Sequence, residues 1–392
     1  MQPIHDYAQR LVRCKRVISG LRNGETALRF LDHLGALGLS VGRVAKYSGH
    51  LPVLLRAIDV DLKAMTREDV ERVVAWINSR PYKEWTKHDM KLTLRKLVQY
   101  AKCGSCAKGT PLPAEVSWVS LTVKENDSRV TPESLLTPAD FKAIVTATRN
   151  KRDRAMVYVL FEAALRPGEL LTMRVDSVVF KNDYCLISAN GKTGVKRIPL
   201  VVSYKPLLEW LQEHPQRDNP NAPLWCSLAT NYDWRQLSYR HFRTVIRRLA
   251  ANAGLKKDVW PYLYRHTSLT ALAKVFTESR LEQFAGWTYG SKMTRRYVHF
   301  SARDLEDAVL ELHGLKEPDK DGGIAKLVEC PRCKNKNPFG EVRCNFCGFI
   351  LDRLLAEEMD QKTAERDLEL QSRLQRLEQT ITSLLNGQTK AA

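Results

Sequence analysis

Residues 177–202 read SVVFKNDYCLISANGKTGVKRIPLVV, and they break the helical rhythm of the chain on either side. Three runs rich in β-branched residues, SVVF, YCLIS and VKRIPLVV, are divided by Lys181-Asn182-Asp183 and by Asn190-Gly191. Asn-Gly is the strongest short hairpin signal, because both residues tolerate the positive φ of a tight turn. The stretch predicts a small three-stranded antiparallel sheet inside a helical domain. Upstream, Thr137-Pro138 supplies an N-cap with Pro at the first helical position. A second helix is expected over about 152–165, and a short third one opens at Pro167. Downstream, helices resume near 204 and are interrupted by the loop HPQRDNPNAP at 214–223. The fold class is therefore mostly α, with this domain spanning 137–315.

Residues 1–106 also read as helical. Apolar positions recur at helical spacing in ETALRFLDHLGALG, VLLRAI and DVERVVAWINS, and Thr66 with Glu68 and Asp69 marks a helix start. Basic residues are interleaved throughout, as in TKHDMKLTLRKLVQYAK. Residues 107–136 show no clear periodicity and read as a linker.

The 392-residue chain carries 62 Lys and Arg against 44 Asp and Glu, a formal charge of +18. The tail from 351 onward is slightly acidic, so the excess sits on residues 1–350. Such a surplus on a folded body points to a polyanionic partner, most commonly nucleic acid, although an inert basic surface would look the same. No apolar run approaches the ~20 residues needed to cross a bilayer. The N-terminal MQPIHDYAQRLVRCKR lacks the apolar core and cleavage site of a secretory signal. A cytoplasmic protein with reduced thiols and no membrane partner is expected.

Cys330-Pro-Arg-Cys333 and Cys344-Asn-Phe-Cys347 are two CxxC pairs ten residues apart. That spacing brings four thiolates to one tetrahedral ion, so residues 326–350 predict a structural zinc ribbon. Cys103 and Cys106 lack a second pair and read as ordinary thiols. Residues 351–388 form a polar helix in which Leu370, Leu374, Leu377, Ile381 and Leu384 recur at 4-3-4-3 spacing. This seam fits either a coiled coil between copies or packing onto its own chain.

Cleaving a phosphodiester without a metal needs a nucleophile, cations for the non-bridging oxygens, and an acid for the leaving oxygen. The 137–315 domain offers Arg166 and Glu169 in ALRPGEL, Lys192 in GKTGVKRIPL, and Tyr262, Arg265 and His266 in YLYRHT. Trp287 follows in Gly286-Trp287, and Tyr297 in YVH. Spacing of i, i+3 and i+4 puts Tyr262, Arg265 and His266 on one helix face. Taken singly, Arg166 reads as a capping residue, Lys192 as a turn lysine and Tyr297 as core.

The ordered set resembles the tyrosine recombinase (phage integrase) family. GWTYGSKMTRRYVHFSARDLEDAV and the trailing cysteines are similar to archaeal integrase-like members. The resemblance implies a SAM-like core-binding domain at 1–106 and a catalytic domain at 137–315. It further implies that Tyr297 attacks the scissile phosphate to give a 3′-phosphotyrosine, that Arg166 and Arg265 hold the non-bridging oxygens, and that Lys192 protonates the 5′-oxygen. Trp287 takes the family's His/Trp position, while Glu169 and His266 support the site. Double-stranded DNA is the implied partner, with self-association on it as a dimer or tetramer and no cofactor for the chemistry. Tyr262 departs from the family, which usually has His there; a phenol is a poor base at neutral pH. That departure keeps open a DNA-binding protein of the same fold that has lost cleavage. A type IB topoisomerase-like relaxing enzyme is the third reading. Arg240, Arg243, Arg247 and Arg248 crowd one helix and read as DNA contacts or as a solvated basic face.

Overall fold

The computed structural model describes residues 4–123, 130–191, 194–229, 233–300, 313 and 326–388. It divides into two units, one of residues 5–129 and a larger one of residues 130–392 together with the chain up to Ile4.

The smaller unit is built from α1 (Tyr7–Ser19), α2 (Gly24–Ala36), α3 (Val41–Arg56), α4 (Arg67–Ser79), α5 (Glu84–Cys103) and the single turn α6 (Ala114–Ser117). Thr66 and Asp69 form a reciprocal capping box that starts α4. Gly104, at φ +69°, ends α5 with its N–H on the Tyr100 carbonyl. Phe30, Leu34, Leu51, Leu54, Ile77 and Leu94 meet in the core. Part of the 107–136 stretch expected to be a linker is folded instead. Val116 and Val119 join that core, and the Gln99 side-chain amide ties the strap down by donating to the Thr110 and Pro111 carbonyls at 2.8 and 3.1 Å. A few apolar residues without periodicity were enough to bury it.

The larger unit begins with α7 (Pro138–Thr146), capped by Thr137 and Asp140 as the sequence predicts. Next comes α8 (Lys151–Ala163), whose residues Ala155 to Phe161 are all buried. A helix apolar on every side belongs at the centre of a domain. The short α9 (Pro167–Leu171) leads to β1 (Val178–Phe180), β2 (Cys185–Gly191) and β3 (Gly194–Leu200), an antiparallel sheet in the order β1-β2-β3. The ladder runs on to Gly191 opposite Gly194, so Asn190-Gly191 ends the strand rather than forming the turn. Residues 192–193, between the two strands, lie outside the described residues. Gly191 has a different use: a Cβ there would lie 2.9 Å from Glu169 Oε1.

Glu162, near the end of α8, accepts the backbone N–H groups of Val201, Val202 and Ser203 at 2.6, 2.9 and 2.6 Å, fixing where the sheet hands over to α10 (Tyr204–Glu213). The helices α11 (Tyr239–Asn252), α12 (Pro261–Ala273), α13 (Glu278–Ala285) and α14 (Lys292–Phe300) follow. The cysteine-bearing segment adds two short strands, β4 (Val328–Glu329) and β5 (Lys336–Asn337), before the long α15 (Arg353–Gln388). Its Phe339 ring stacks on Phe141 of α7 at 6.1 Å, and the Phe339 carbonyl accepts from the Tyr158 hydroxyl at 2.8 Å. Ion pairs of Arg154 with Glu341 and of Lys142 with Asp352 add to this seam.

Asp153, buried at the start of α8, is held by Arg152 at 2.5 Å, and the same guanidinium donates to the Cys226 carbonyl at 2.8 Å. Arg152→Ala would leave that carboxylate without its buried partner, so unfolding in urea should show a loss of about 3–5 kcal/mol. A loss no larger than that of a surface pair, about 1 kcal/mol, would mean that water reaches Asp153.

Candidate functional site

The end of α8 sets the site. Ala164 has φ +47°, a left-handed conformation uncommon for a residue with a Cβ, and it turns the chain so that Arg166 caps α9. Glu169, one turn into α9, accepts from the Arg166 backbone N–H at 2.9 Å and from its guanidinium at 2.6 Å. Lys196 on β3 reaches the same carboxylate at 2.9 Å, and Arg265 approaches it to 3.9 Å. Burial alone would push the Glu169 carboxyl up, but the charge of Lys196 and the bonds from Arg166 and Lys196 outweigh it and hold the group below its ordinary value.

Arg265 is buried on α12. Its two terminal nitrogens donate to the Ala164 carbonyl at 2.6 Å and to the Ala285 carbonyl at 2.9 Å. Both carbonyls lie at helix C-terminal ends, where the exposed backbone dipoles favour a cation. Burial, followed by the charge of Arg166, pulls the guanidinium down to about 10. The Trp287 ring lies 5.6 Å from its central carbon.

Tyr297, on α14, is 1% exposed. Its ring stacks on Trp287 at 5.4 Å and 22°, and its hydroxyl lies 3.0 Å from His266 Nδ1. Glu282 on α13 seats α14: its carboxylate accepts from the Gly290 and Ser291 N–H groups at 3.1 and 2.9 Å and from the Thr294 hydroxyl at 3.0 Å. Gly286, at φ +67°, provides the bend before Trp287.

Of the residues singled out from sequence, Arg166, Glu169, Arg265, His266, Trp287 and Tyr297 come together. Tyr262 sits one turn ahead of Arg265 on α12 and is 41% exposed, so it shares their helix but not their burial. Lys192 lies outside the described residues. Lys196 and Glu282 are site residues that the sequence reading passed over. Lys196 was open to detection, because it alternates with Ile198 and Leu200 on the inward face of β3. Burial, only partly offset by Glu169, pulls its ammonium down to about 8. No sequence signal marked Glu282.

The amphipathic α11 buries Phe242, Val245, Ile246 and Leu249 and exposes Arg240, Arg243, Arg247 and Arg248. Two of these have acidic neighbours: Arg247 lies 3.6 Å from Asp258 and Arg248 lies 3.5 Å from Asp153.

Cys330, Cys333, Cys344 and Cys347 place all four sulfurs within 4.8 Å of one another, an arrangement able to hold a metal ion. The Cys330–Cys347 and Cys333–Cys344 separations of 3.6 and 3.5 Å are close to the ~3.8 Å edge of a tetrahedron with 2.3 Å metal–sulfur bonds. The two knuckles repeat one backbone design. Lys334 N–H returns to the Cys330 carbonyl and Gly348 N–H to the Cys344 carbonyl, both at 2.9 Å. Both residues have positive φ, +62° and +73°. Glycine was legible at the second position; at the first a lysine takes the same conformation.

Residues 134–303 match the phage integrase family. A tyrosine recombinase of Synechocystis is 30% identical over 142 residues, covering 35% of this chain and 45% of that protein. The tyrosine recombinase XerA of Saccharolobus solfataricus is 22% identical over 300 residues, 74% of this chain and 93% of its own. The chain spans less than half of the Synechocystis and Synechococcus tyrosine recombinases that it matches. Among solved structures, the XerH site-specific recombinase bound to palindromic difH substrate covers 80% of this chain and 99% of its own, with a TM-score of 0.56 at 16% identity. The lambda integrase tetramer bound to a Holliday junction covers 70% of this chain and 76% of its own, with a TM-score of 0.53 at 15% identity. These two likenesses concern the fold. Residues 134–303 thus carry a phage integrase domain, similar to that of tyrosine recombinases from bacteria and archaea.

Proposed function

We propose that this protein is a site-specific recombinase that cuts and rejoins duplex DNA through a 3′-phosphotyrosine bond at Tyr297. The observation that carries this reading is the 3.0 Å approach of the Tyr297 hydroxyl to His266 Nδ1, beside an arginine pair already fixed in place. With His266 in the neutral tautomer whose Nδ1 is unprotonated, the ring can take the phenol proton as the tyrosine oxygen attacks phosphorus. The bond from phosphorus to the 5′-oxygen breaks, and that oxygen takes up a proton. The family resemblance gives this last role to Lys192. Rejoining is the reverse: a 5′-hydroxyl attacks the phosphotyrosine and Tyr297 leaves. Arg166 and Arg265 neutralise the non-bridging oxygens, and the Trp287 indole N–H donates to one of them. Tyr262, exposed on the same helix, donates a hydrogen bond and is not the base. The exposed arginines of α11 face phosphates, Arg240 and Arg243 foremost because Arg247 and Arg248 share their charge with Asp258 and Asp153. The solved relatives are DNA-bound, one of them as a tetramer, which supports action as a multimer on DNA.

The test is a denaturation-resistant protein–DNA adduct on a randomised library of nicked duplexes. The unsubstituted chain should form it, and Tyr297→Phe should bind DNA equally well and form none. An adduct that persists in Tyr297→Phe, or maps to the exposed Tyr289, would sink the assignment. Tight binding without any adduct would instead select the DNA-binding protein that has lost cleavage.

Arg166→Ala and Arg265→Ala should each slow adduct formation by about 10²–10³, the usual cost of one preorganised donor. A change of less than tenfold in single-turnover assays would remove that arginine from the phosphate clamp.

The four cysteines hold zinc, as the all-sulfur tetrahedral set favours. Elemental analysis should find one zinc per chain, and Cys344→Ser should lose it. Because Phe339 and Glu341 are bonded to α8, stripping the metal should also lower the melting temperature of the larger unit. Metal-free protein from a purification without chelator, or an unchanged melting curve after zinc removal, would contradict this.

A further inference from the structure

The helix α15 carries an apolar line that nothing among the described residues covers. Leu370, Leu374 and Leu377 are 50%, 59% and 54% exposed. Their spacing of four and three residues continues in the sequence to Ile381 and Leu384, on a helix whose backbone runs to Gln388. Among the described residues, therefore, Leu370, Leu374 and Leu377 do not pack onto the chain's own surface.

We infer that α15 pairs with α15 of a second copy of this chain as a short, parallel, in-register coiled coil starting at Leu370. Leu374 and Ile381 fall at the a positions of a heptad, and Leu370, Leu377 and Leu384 at the d positions, a pattern compatible with two strands. The charges select the direction. Arg373 occupies a g position and Glu378 the e position five residues later. In a parallel pair, g of one helix faces the following e of the other, so Arg373 meets Glu378 of the second copy on both flanks. In an antiparallel pair g faces g and e faces e, which gives Arg373 no acid to meet. Upstream, Asp360 and Asp367 fall at a positions, where a buried carboxylate would be costly. They set the N-terminal limit of the paired segment. The pairing needs no DNA, so it brings two catalytic units together before either meets its site.

Sedimentation equilibrium of the full chain without DNA should approach twice the chain mass as concentration rises. Leu374→Asp, at an exposed position that the folded body does not use, should keep the single-chain mass throughout. Under mild oxidation, Leu377→Cys should link to its counterpart in a second copy, because parallel in-register pairing sets equivalent d positions side by side. Leu368→Cys, at an outer position and 67% exposed in the present chain, should give no more dimer than the unsubstituted protein with its nine cysteines. A single-chain mass at every concentration would overturn the inference, as would a dimer unmoved by Leu374→Asp, a trimer, or equal linking at 368 and 377. Tyr297→Phe should dimerise like the unsubstituted chain, so the outcome here is separate from that of the recombinase reading.

Discussion

Arg166, Lys196 and Arg265 converge where three positive charges repel one another, and Glu169 is the anion that lets them share the space. Its carboxylate is almost out of water, so the attractions are stronger than at a surface and the cost of misplacing it is higher. Two sequence choices make room for it. Arg166 caps α9, which puts Glu169 one turn inside the helix, and Gly191 withholds the Cβ that would strike it. The guanidinium groups are thereby held in fixed orientations, and preorganisation of this kind makes an electrostatic site effective.

The helix α8 links this arrangement to the cysteine-bearing segment. Arg154 and Tyr158, in its middle, bond to Glu341 and Phe339, while Ala164, just past its end, offers a carbonyl to Arg265. The segment is thus part of the wall of the larger unit, not an appendage on a tether. Its internal polar groups are satisfied in the same spirit: buried Asn337 accepts from the Asn345 N–H at 2.8 Å and donates toward Cys344.

What the sequence revealed and what it hid follow from how local each signal is. The capping boxes at Thr66 and Thr137, the change of period at β1 to β3 and the paired cysteines depend on neighbours a few residues away, and all were readable. The position of the hairpin turn was not, because the glycine of Asn190-Gly191 answers to Glu169, twenty-two residues earlier, rather than to the turn. Lys196 was masked by Lys192, a more conspicuous lysine on the same hairpin. Glu282 acts through the loop between α13 and α14 and through Thr294 on α14, and a glutamate on a helix carries no mark of that. The folded strap at Val116 and Val119 shows the same limit, since too few apolar residues take part to create a period.

Residues far apart in the chain help to complete the larger unit. The Ile4 carbonyl accepts from the Tyr239 N–H at 3.1 Å, and the Ile4 side chain lies against Gly168 in α9. Asp352 closes the far end on Lys142. Ile4 thus belongs to the larger unit, and the helical unit of residues 5–129 lies in sequence between it and residue 130. On the ribosome the helical unit can finish folding while the larger unit still lacks most of its sequence. The larger unit must wait until residue 352 has emerged, and until then Tyr158 and Arg154 have no partners from the cysteine segment. A chain broken off before that point would carry a finished helical unit and an unfinished larger one, so the order of synthesis itself sets which of the two units is complete in a partial product.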